Sequence, residues 1–162
     1  MLAFIKRLFG GGVMTSGALA MAKARYEAGT AQPAVRVYDR MSCWDLIGEE
    51  IIDTEHETEE YDAIYAELLE RGFSATEIDE MRAFGWRTLG WLNYEKMLWD
   101  WVSLDERDIV RALDWQLEEK KINILKHKEE ISYMRQCLSR DKRKIQGRAE
   151  QVVPPKSDRA GG

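Results

Sequence analysis

Two pairs of carboxylates in this chain have a spacing that suits metal chemistry. Glu50 and Asp53 lie three residues apart, and Glu77 and Glu80 repeat that spacing one predicted helical hairpin later. Residues three apart share one face of a helix, so each pair would present two carboxylates side by side. Two such pairs facing each other in a helical bundle could hold Mg²⁺ and a phosphate-containing substrate.

This pattern resembles the paired acidic motifs of the all-α nucleotide pyrophosphohydrolases, and the resemblance rests on the spacing alone. It implies an alternative function, the Mg²⁺-dependent hydrolysis of nucleotides. The metal ligands would then be Glu50, Asp53, Glu77 and Glu80.

Other catalytic and metal signatures are missing from the sequence. No GxSxG motif occurs, and Gly10-Gly11-Gly12 is not followed by the GK[ST] of a phosphate-binding loop. A di-iron site needs two Glu/His triplets, and only Asp53 to His56 resembles one. Cys43 and Cys137 form no CxxC pair, so zinc has no support. The sequence therefore predicts no cofactor and favours a non-enzymatic protein.

Charge is strongly segregated along the chain, although the whole carries a net charge of only −5. Residues 39–80 contain fifteen acidic and two basic residues, whereas residues 120–148 contain ten basic and three acidic ones. Opposite charges of this size attract within one molecule or between copies. An acidic segment can also imitate DNA, so an acidic inhibitor of a nucleic-acid-binding protein is a second alternative.

The middle of the chain predicts three helices, over about 43–52, 58–71 and 75–102. Ser42 and Ser74 are capping residues, each with an acid three positions later, and Gly72 is a typical C-terminal stop. The third helix is apolar on all sides, which indicates a central and buried position. Most of the tryptophans lie in or near it, and we interpret them as core residues rather than as a ligand-stacking platform.

The most prominent prediction is one continuous C-terminal helix over 103–146, opened by Ser103 and Glu106 and roughly 65 Å long. An apolar residue recurs in it at every seventh position. Three of the five positions that would complete a coiled-coil seam are polar or charged, which argues against a long homodimeric coil. We instead expect the helix to pack on the third helix and to overhang it by about a third of its length. The predicted partner-binding residues are Ile131, Met134, Leu138, Ile145, Arg140, Lys142, Arg143 and Lys144.

The two ends of the chain are predicted to lie outside the helical domain of residues 39–147. Residues 1–38 form an irregular or helical arm with a linker, and residues 148–162 form a disordered tail. Residues 1–22 combine Lys6 and Arg7 with an apolar run ending in Ala20-Met21-Ala22, so cleavage for export and contact with a membrane are alternatives to packing. We favour packing and a cytoplasmic location.

The sequence as a whole thus predicts an all-α protein, a small helical bundle with one long C-terminal helix. Its expected function is protein–protein interaction or assembly, through the C-terminal helix and the acidic middle. The expected partner is another protein or a second copy. Nucleic acid is disfavoured, because the basic run Arg140 to Lys144 also suits the end of a helix.

Overall fold

The computed structural model describes residues 17–32, 38, 40–52, 56–96 and 103–142. These residues form helices and, within the described ranges, no strand, which confirms the all-α prediction. The predicted tail at 148–162 lies outside the described residues. The helices are α1 Ala18–Glu27, α2 Cys43–Gly48, α3 Thr58–Glu70, α4 Ala75–Gly85, a π-helical turn Trp86–Gly90, α5 Trp91–Glu95, α6 Glu106–Glu118 and α7 Ile124–Arg140.

The predicted helix starts in the middle of the chain are confirmed by their caps. The Ser42 hydroxyl accepts from the amide of Asp45 at 3.1 Å, and the Asp45 carboxylate accepts from the amide of Ser42 at 2.5 Å. Ser74 and Glu77 make the same reciprocal pair at the start of α4. Each box satisfies two amides that the first helical turn leaves without partners.

The first and third predicted helices differ from the prediction in their extent. The first ends at Gly48 instead of continuing to residue 52. The third is helical from Ala75 to Glu95 but widens into the π-helical turn, and residues 97–102 lie outside the described ranges. Gly90 lies in that turn, where a Cβ would come within 2.7 Å of the Trp86 ring, so the absence of a side chain lets the indole lie against the backbone.

An aromatic cluster on α2, α4 and α7 forms the centre of the core. Trp44 is fully buried, with its ring centroid 5.0 Å from that of Phe84 and 6.1 Å from that of Tyr133. Its indole N–H donates to the carbonyl of Met134 at 3.2 Å, which fixes α7 against α2. Burying a large aromatic ring while satisfying its one polar atom is the favourable arrangement for tryptophan.

The N-terminal arm contributes to the same core, because α1 packs on α3 with Leu19 and Ala22 fully buried. Lys23 pairs with Asp79, and Arg25 pairs with Asp62 at 2.7 Å. Gly17 precedes the helix at a point where a Cβ would overlap the Glu50 carboxylate. Cleavage after Ala22, which the export alternative requires, would remove Leu19 from this core.

The continuous helix predicted over 103–146 is wrong, because the described part of this segment forms two helices. Asp105, not Ser103, caps α6, accepting from the amide of Arg107 at 2.7 Å. The helix ends at Glu118, and Lys120 then adopts a left-handed conformation with φ of 56°. The amides of Lys120 and Lys121 donate back to Leu117 and Gln116 at 3.0 and 2.8 Å, the hydrogen-bond pair of a Schellman motif.

A new helix then starts at the next capping residue and lies beside α6. The Asn123 side chain accepts from the amide of Lys126 at 2.9 Å. His127 at the start of α7 pairs with Asp114 of α6 at 2.8 Å, so the two helices form a hairpin. As expected, α6 packs on the aromatic helix, and Gln116 donates to the carbonyl of Arg87 at 2.8 Å. The predicted overhang is absent among the described residues, because α7 returns to α2 instead of extending outward.

Replacement of Lys120 by glycine tests the break between α6 and α7. Glycine relieves a left-handed conformation that costs an ordinary residue roughly 1–2 kcal/mol, so we expect the free energy of unfolding to rise by up to about 1 kcal/mol. In one continuous helix the same change would lower it by about 0.5–1 kcal/mol. Urea denaturation measures whether the free energy of unfolding rises or falls. Lys128→Gly inside α7 is the matched control and should lower the free energy of unfolding.

A buried arginine holds the ends of several elements together. Arg71 is 1% exposed and donates to the carbonyls of Tyr38 and Met41 at 2.9 and 2.8 Å. It also pairs with Glu67 at 2.8 Å and with Asp141 at 3.4 Å, and the fully buried Asp141 carboxylate accepts from the amide of Cys43 at 2.9 Å. The network therefore joins the C-terminal end of α3, the segment before α2 and the end of α7.

We expect Arg71→Met to cost about 3–5 kcal/mol of folding free energy, because it leaves the Asp141 carboxylate and two carbonyls buried without this donor. The measurement is urea unfolding followed by circular dichroism. Arg135→Met, at an exposed arginine of α7, is the control and should change stability by less than about 0.5 kcal/mol. Adding Asp141→Asn to Arg71→Met should recover part of the loss, and equal losses for the two arginine variants would contradict the importance of this network.

Candidate functional site

Two of the four predicted acidic metal ligands, Glu50 and Glu77, are engaged by arginines rather than gathered around a common point. The Glu50 carboxylate receives two hydrogen bonds from Arg82, at 2.9 and 2.8 Å, and both side chains are buried. Glu77 pairs with Arg140 at 2.5 Å, Glu80 lines a surface groove, and Asp53 lies outside the described residues. Within the described ranges no three His, Cys, Asp or Glu side chains come together as metal ligands.

The Glu77–Arg140 pair makes a specific contribution at acid pH. The Arg140 guanidinium, followed by the hydrogen bonds from Ser74, lowers the pKa of Glu77 from 4.5 to about 2. A carboxyl whose pKa is lowered on folding stabilises the protein above its unfolded pKa and loses that contribution as pH falls through the folded pKa. The pair thus ties the end of α7 to the start of α4 at neutral pH.

We predict that Glu77→Gln is less stable than the wild type at neutral pH, with a difference that shrinks as pH falls from 4.5 towards about 2. Glutamine retains the capping box, so the change isolates the ion pair. Because both side chains are part-exposed, solvent screening keeps the difference below about 1 kcal/mol. Thermal unfolding across this pH range is the measurement, and a constant difference would show that the pair is not its source.

The partner-binding residues predicted on the C-terminal helix mostly face this chain's own core. Met134 is 3% exposed, and Ile131 and Leu138 are half-buried against the core. Arg140 pairs with Glu77 and lies 5.9 Å over the ring of Phe73, while Lys142 is exposed near Gly72. Arg143, Lys144 and Ile145 lie outside the described residues. The apolar stripe of α7 is therefore an intramolecular contact.

The face of α7 that points away from the core carries the side chains that a partner could contact. Lys128 and Arg135 form no ion pair with any described residue. The acids of this segment are engaged internally: Glu130 with Arg87 and Lys126, Glu129 with Lys126, and Asp141 with Arg71. We name as the outer surface of α7 its exposed residues Ile124, Leu125, Lys128, Ser132, Arg135, Gln136 and Ser139.

Ile124 and Leu125 are the most unusual members of this surface. Their side chains are 57% and 65% exposed, the highest values among the large hydrophobic residues that the structure describes. Ile124 belongs to the seven-residue apolar repeat, but the repeat alone does not indicate that its side chain is exposed. The missed signal was Asn123, a preferred capping residue, which starts α7 here and puts both aliphatic side chains in a first turn beyond the core.

A groove of about 380 Å³ lies between α4 and α7, near the outer surface of α7. Its charged groups already pair with each other, because the Glu130 carboxylate lies 2.9 Å from Lys126 and 3.6 Å from Arg87. Burial raises the pKa of the Tyr133 hydroxyl in its wall. The groove therefore offers a ligand few unsatisfied polar groups.

The histidines and cysteines add no catalytic arrangement among the described residues. His56 lies between Glu49 and Glu60, with nitrogen–oxygen distances of 2.5 and 3.0 Å, and only the contact with Glu60 has hydrogen-bond geometry. Both histidines thus pair with nearby acids. The two cysteines are free and buried, and burial raises the pKa of the Cys137 thiol.

Several carboxylates of the acidic middle segment are paired inside the fold. Asp62 and Asp79 pair with α1, Glu77 pairs with α7, and Glu50 pairs with Arg82. These four carboxylates are therefore not free to imitate phosphates, whereas Glu57 and Glu59 are exposed and form no ion pair with a described residue.

Comparisons with family models, with curated proteins and with solved structures find no match to this chain. None of the described helices is both long enough and apolar enough to cross a bilayer.

Proposed function

We propose that this protein is a non-enzymatic interaction module that binds another protein through the outer surface of α7. The observation that carries the proposal is the adjacent exposure of Ile124 and Leu125, at 57% and 65%, on a helix whose other large apolar residues, Ile131, Tyr133, Met134 and Leu138, are buried or half-buried. Singly exposed aliphatic residues are common, whereas contiguous apolar surface rimmed by polar groups marks contact sites, and these two side chains are contiguous. The complementary partner has an apolar pocket with carboxylates beside it.

The chemistry of the surface supports a small, partly electrostatic contact. Covering the exposed part of two aliphatic side chains contributes about 1–2 kcal/mol each. Lys128 and Arg135 lie one and three turns further along the same face, where their free cations would guide and orient an acidic partner. Ser132, Gln136 and Ser139 are the polar remainder of the surface.

The rigidity of α7 also supports binding, because its inner face is fixed in its C-terminal half and His127 in its first turn pairs with Asp114. Trp44 donates to the Met134 carbonyl, Arg140 pairs with Glu77, and the Asp141 carboxylate is buried with Arg71. A helix held in this way loses little conformational entropy on binding, so more of the contact energy appears as affinity. The inner apolar stripe of α7 packs in this chain's own core, so a partner would contact the outer surface of α7 instead.

The test is affinity purification from the native host with mass spectrometry of the co-eluting proteins, using the full chain and its Ile124→Ser/Leu125→Ser variant. We expect at least one partner to bind the wild type and to be lost from the variant. Met21→Ser is the matched control, because Met21 is 54% exposed on α1 and its removal should leave capture unchanged. Circular dichroism confirms that each variant folds. Equal recovery of every protein by wild type and double variant would refute the proposal.

A further inference from the structure

We infer that a second copy of this chain is a partner of the outer surface of α7, and that it docks through an acidic face of Tyr26, Glu27, Glu57 and Glu59. This inference rests on the function proposed above and names the partner. The resulting contact is head-to-tail, because the two faces share no residue.

The acidic face is built where the end of α1 meets the start of α3. The Arg25 side chain donates to the Asp62 carboxylate at 2.8 Å and lies 3.5 Å from the carbonyl of Thr58. Tyr26, the next residue, packs edge-on against Tyr65 with ring centroids 5.6 Å apart and is still 50% exposed. The Tyr26 ring therefore lies beside Tyr65, about two turns into α3, while the Arg25 side chain reaches from the same end of α1 to the first turn of α3.

Three exposed carboxylates accompany that ring. Glu27, Glu57 and Glu59 are exposed, and none forms an ion pair with a described residue. The neighbouring acids Asp62 and Glu60 are engaged by Arg25 and His56, so these three are what the internal pairing leaves over. The face thus combines one apolar group with unneutralised negative charge.

The two faces are complementary in both respects. Ile124 and Leu125 would cover Tyr26, while Lys128 and Arg135 would meet the carboxylates. The large hydrophobic residues that are exposed in the described chain are these three and Met21, so docking would cover most of them at once. Unpaired cations on one face and unpaired carboxylates on the other occur in one molecule, which makes a second copy a partner with the required chemistry.

The geometry also predicts how the copies assemble. A contact between two different faces leaves one of each free at the ends, so it does not stop at a dimer unless the rotation closes a ring. The average mass should therefore keep rising with concentration. The whole chain carries a net charge of −5, and salt screens that overall repulsion as well as the local attraction. Reversing the charges is consequently a sharper test than adding salt.

The experiment is sedimentation velocity of the full-length protein over a wide concentration range. One variant reverses the basic side, Lys128→Glu with Arg135→Glu, and the other reverses the acidic side, Glu57→Lys with Glu59→Lys. Each alone should lower the association constant by roughly tenfold or more, because like charges then face each other. An equimolar mixture should associate again, since the intact acidic face of the first variant meets the intact outer surface of the second.

Control reversals at exposed residues outside both faces, Glu118→Lys and Lys142→Glu, should leave self-association unchanged. A wild type that stays monomeric at all concentrations overturns the inference, and so does a mixture that fails to associate. Co-sedimentation with phosphatidylserine vesicles without self-association would overturn it in favour of a lipid surface. If the wild type is monomeric while the Ile124→Ser/Leu125→Ser variant still loses a captured protein, the proposed function stands and only the second copy is excluded.

Discussion

The buried guanidinium of Arg71 fixes the arrangement on which the rest of the fold depends. Its partners come from residues 38 and 41, from Glu67 on its own helix, and from Asp141 at the end of α7. An arginine this deeply buried is costly unless each donor has a partner, so the network forms completely or is strongly destabilising. Because Asp141 also accepts from the amide of Cys43, the same carboxylate caps α2 and anchors α7.

Anchoring the end of α7 determines which of its faces is available. With Trp44 bonded to the Met134 carbonyl and Asp141 bonded to Arg71, the helix is fixed in rotation about its axis. Residues 134, 137 and 141 then face inward, and residues 125, 128, 132 and 135 face outward. The network that closes the core thus also decides which side chains a partner can meet.

Capping signals predicted the starts of α2 and α4 correctly, because caps act through the backbone over three or four residues. The break near Lys120 was missed since its left-handed residue is a lysine rather than a glycine, while the apolar repeat continues across it. The hairpin of α6 and α7 is more stable than one continuous helix of 44 residues, because the continuous helix would leave much of its apolar stripe uncovered. Folding back buries Met134 and Cys137. Spacing likewise placed Glu77 and Glu80 on one helix but could not reveal Arg140, which reaches Glu77 from a distant segment.

Many of the segregated charges pair with each other inside the molecule, and the charges that remain unpaired lie on its surface. Lys23 and Arg25 from the arm and Arg140 from α7 neutralise Asp79, Asp62 and Glu77. These contacts consume the charges nearest the core and leave those at the periphery, Lys128 and Arg135 on one helix and Glu57 and Glu59 on another. Since solvent weakens exposed charges far less when an apolar contact excludes water beside them, leftover charge matters most next to Ile124, Leu125 and Tyr26. The electrostatic pattern that folds the chain therefore also leaves cations on the outer surface of α7 and carboxylates near the start of α3.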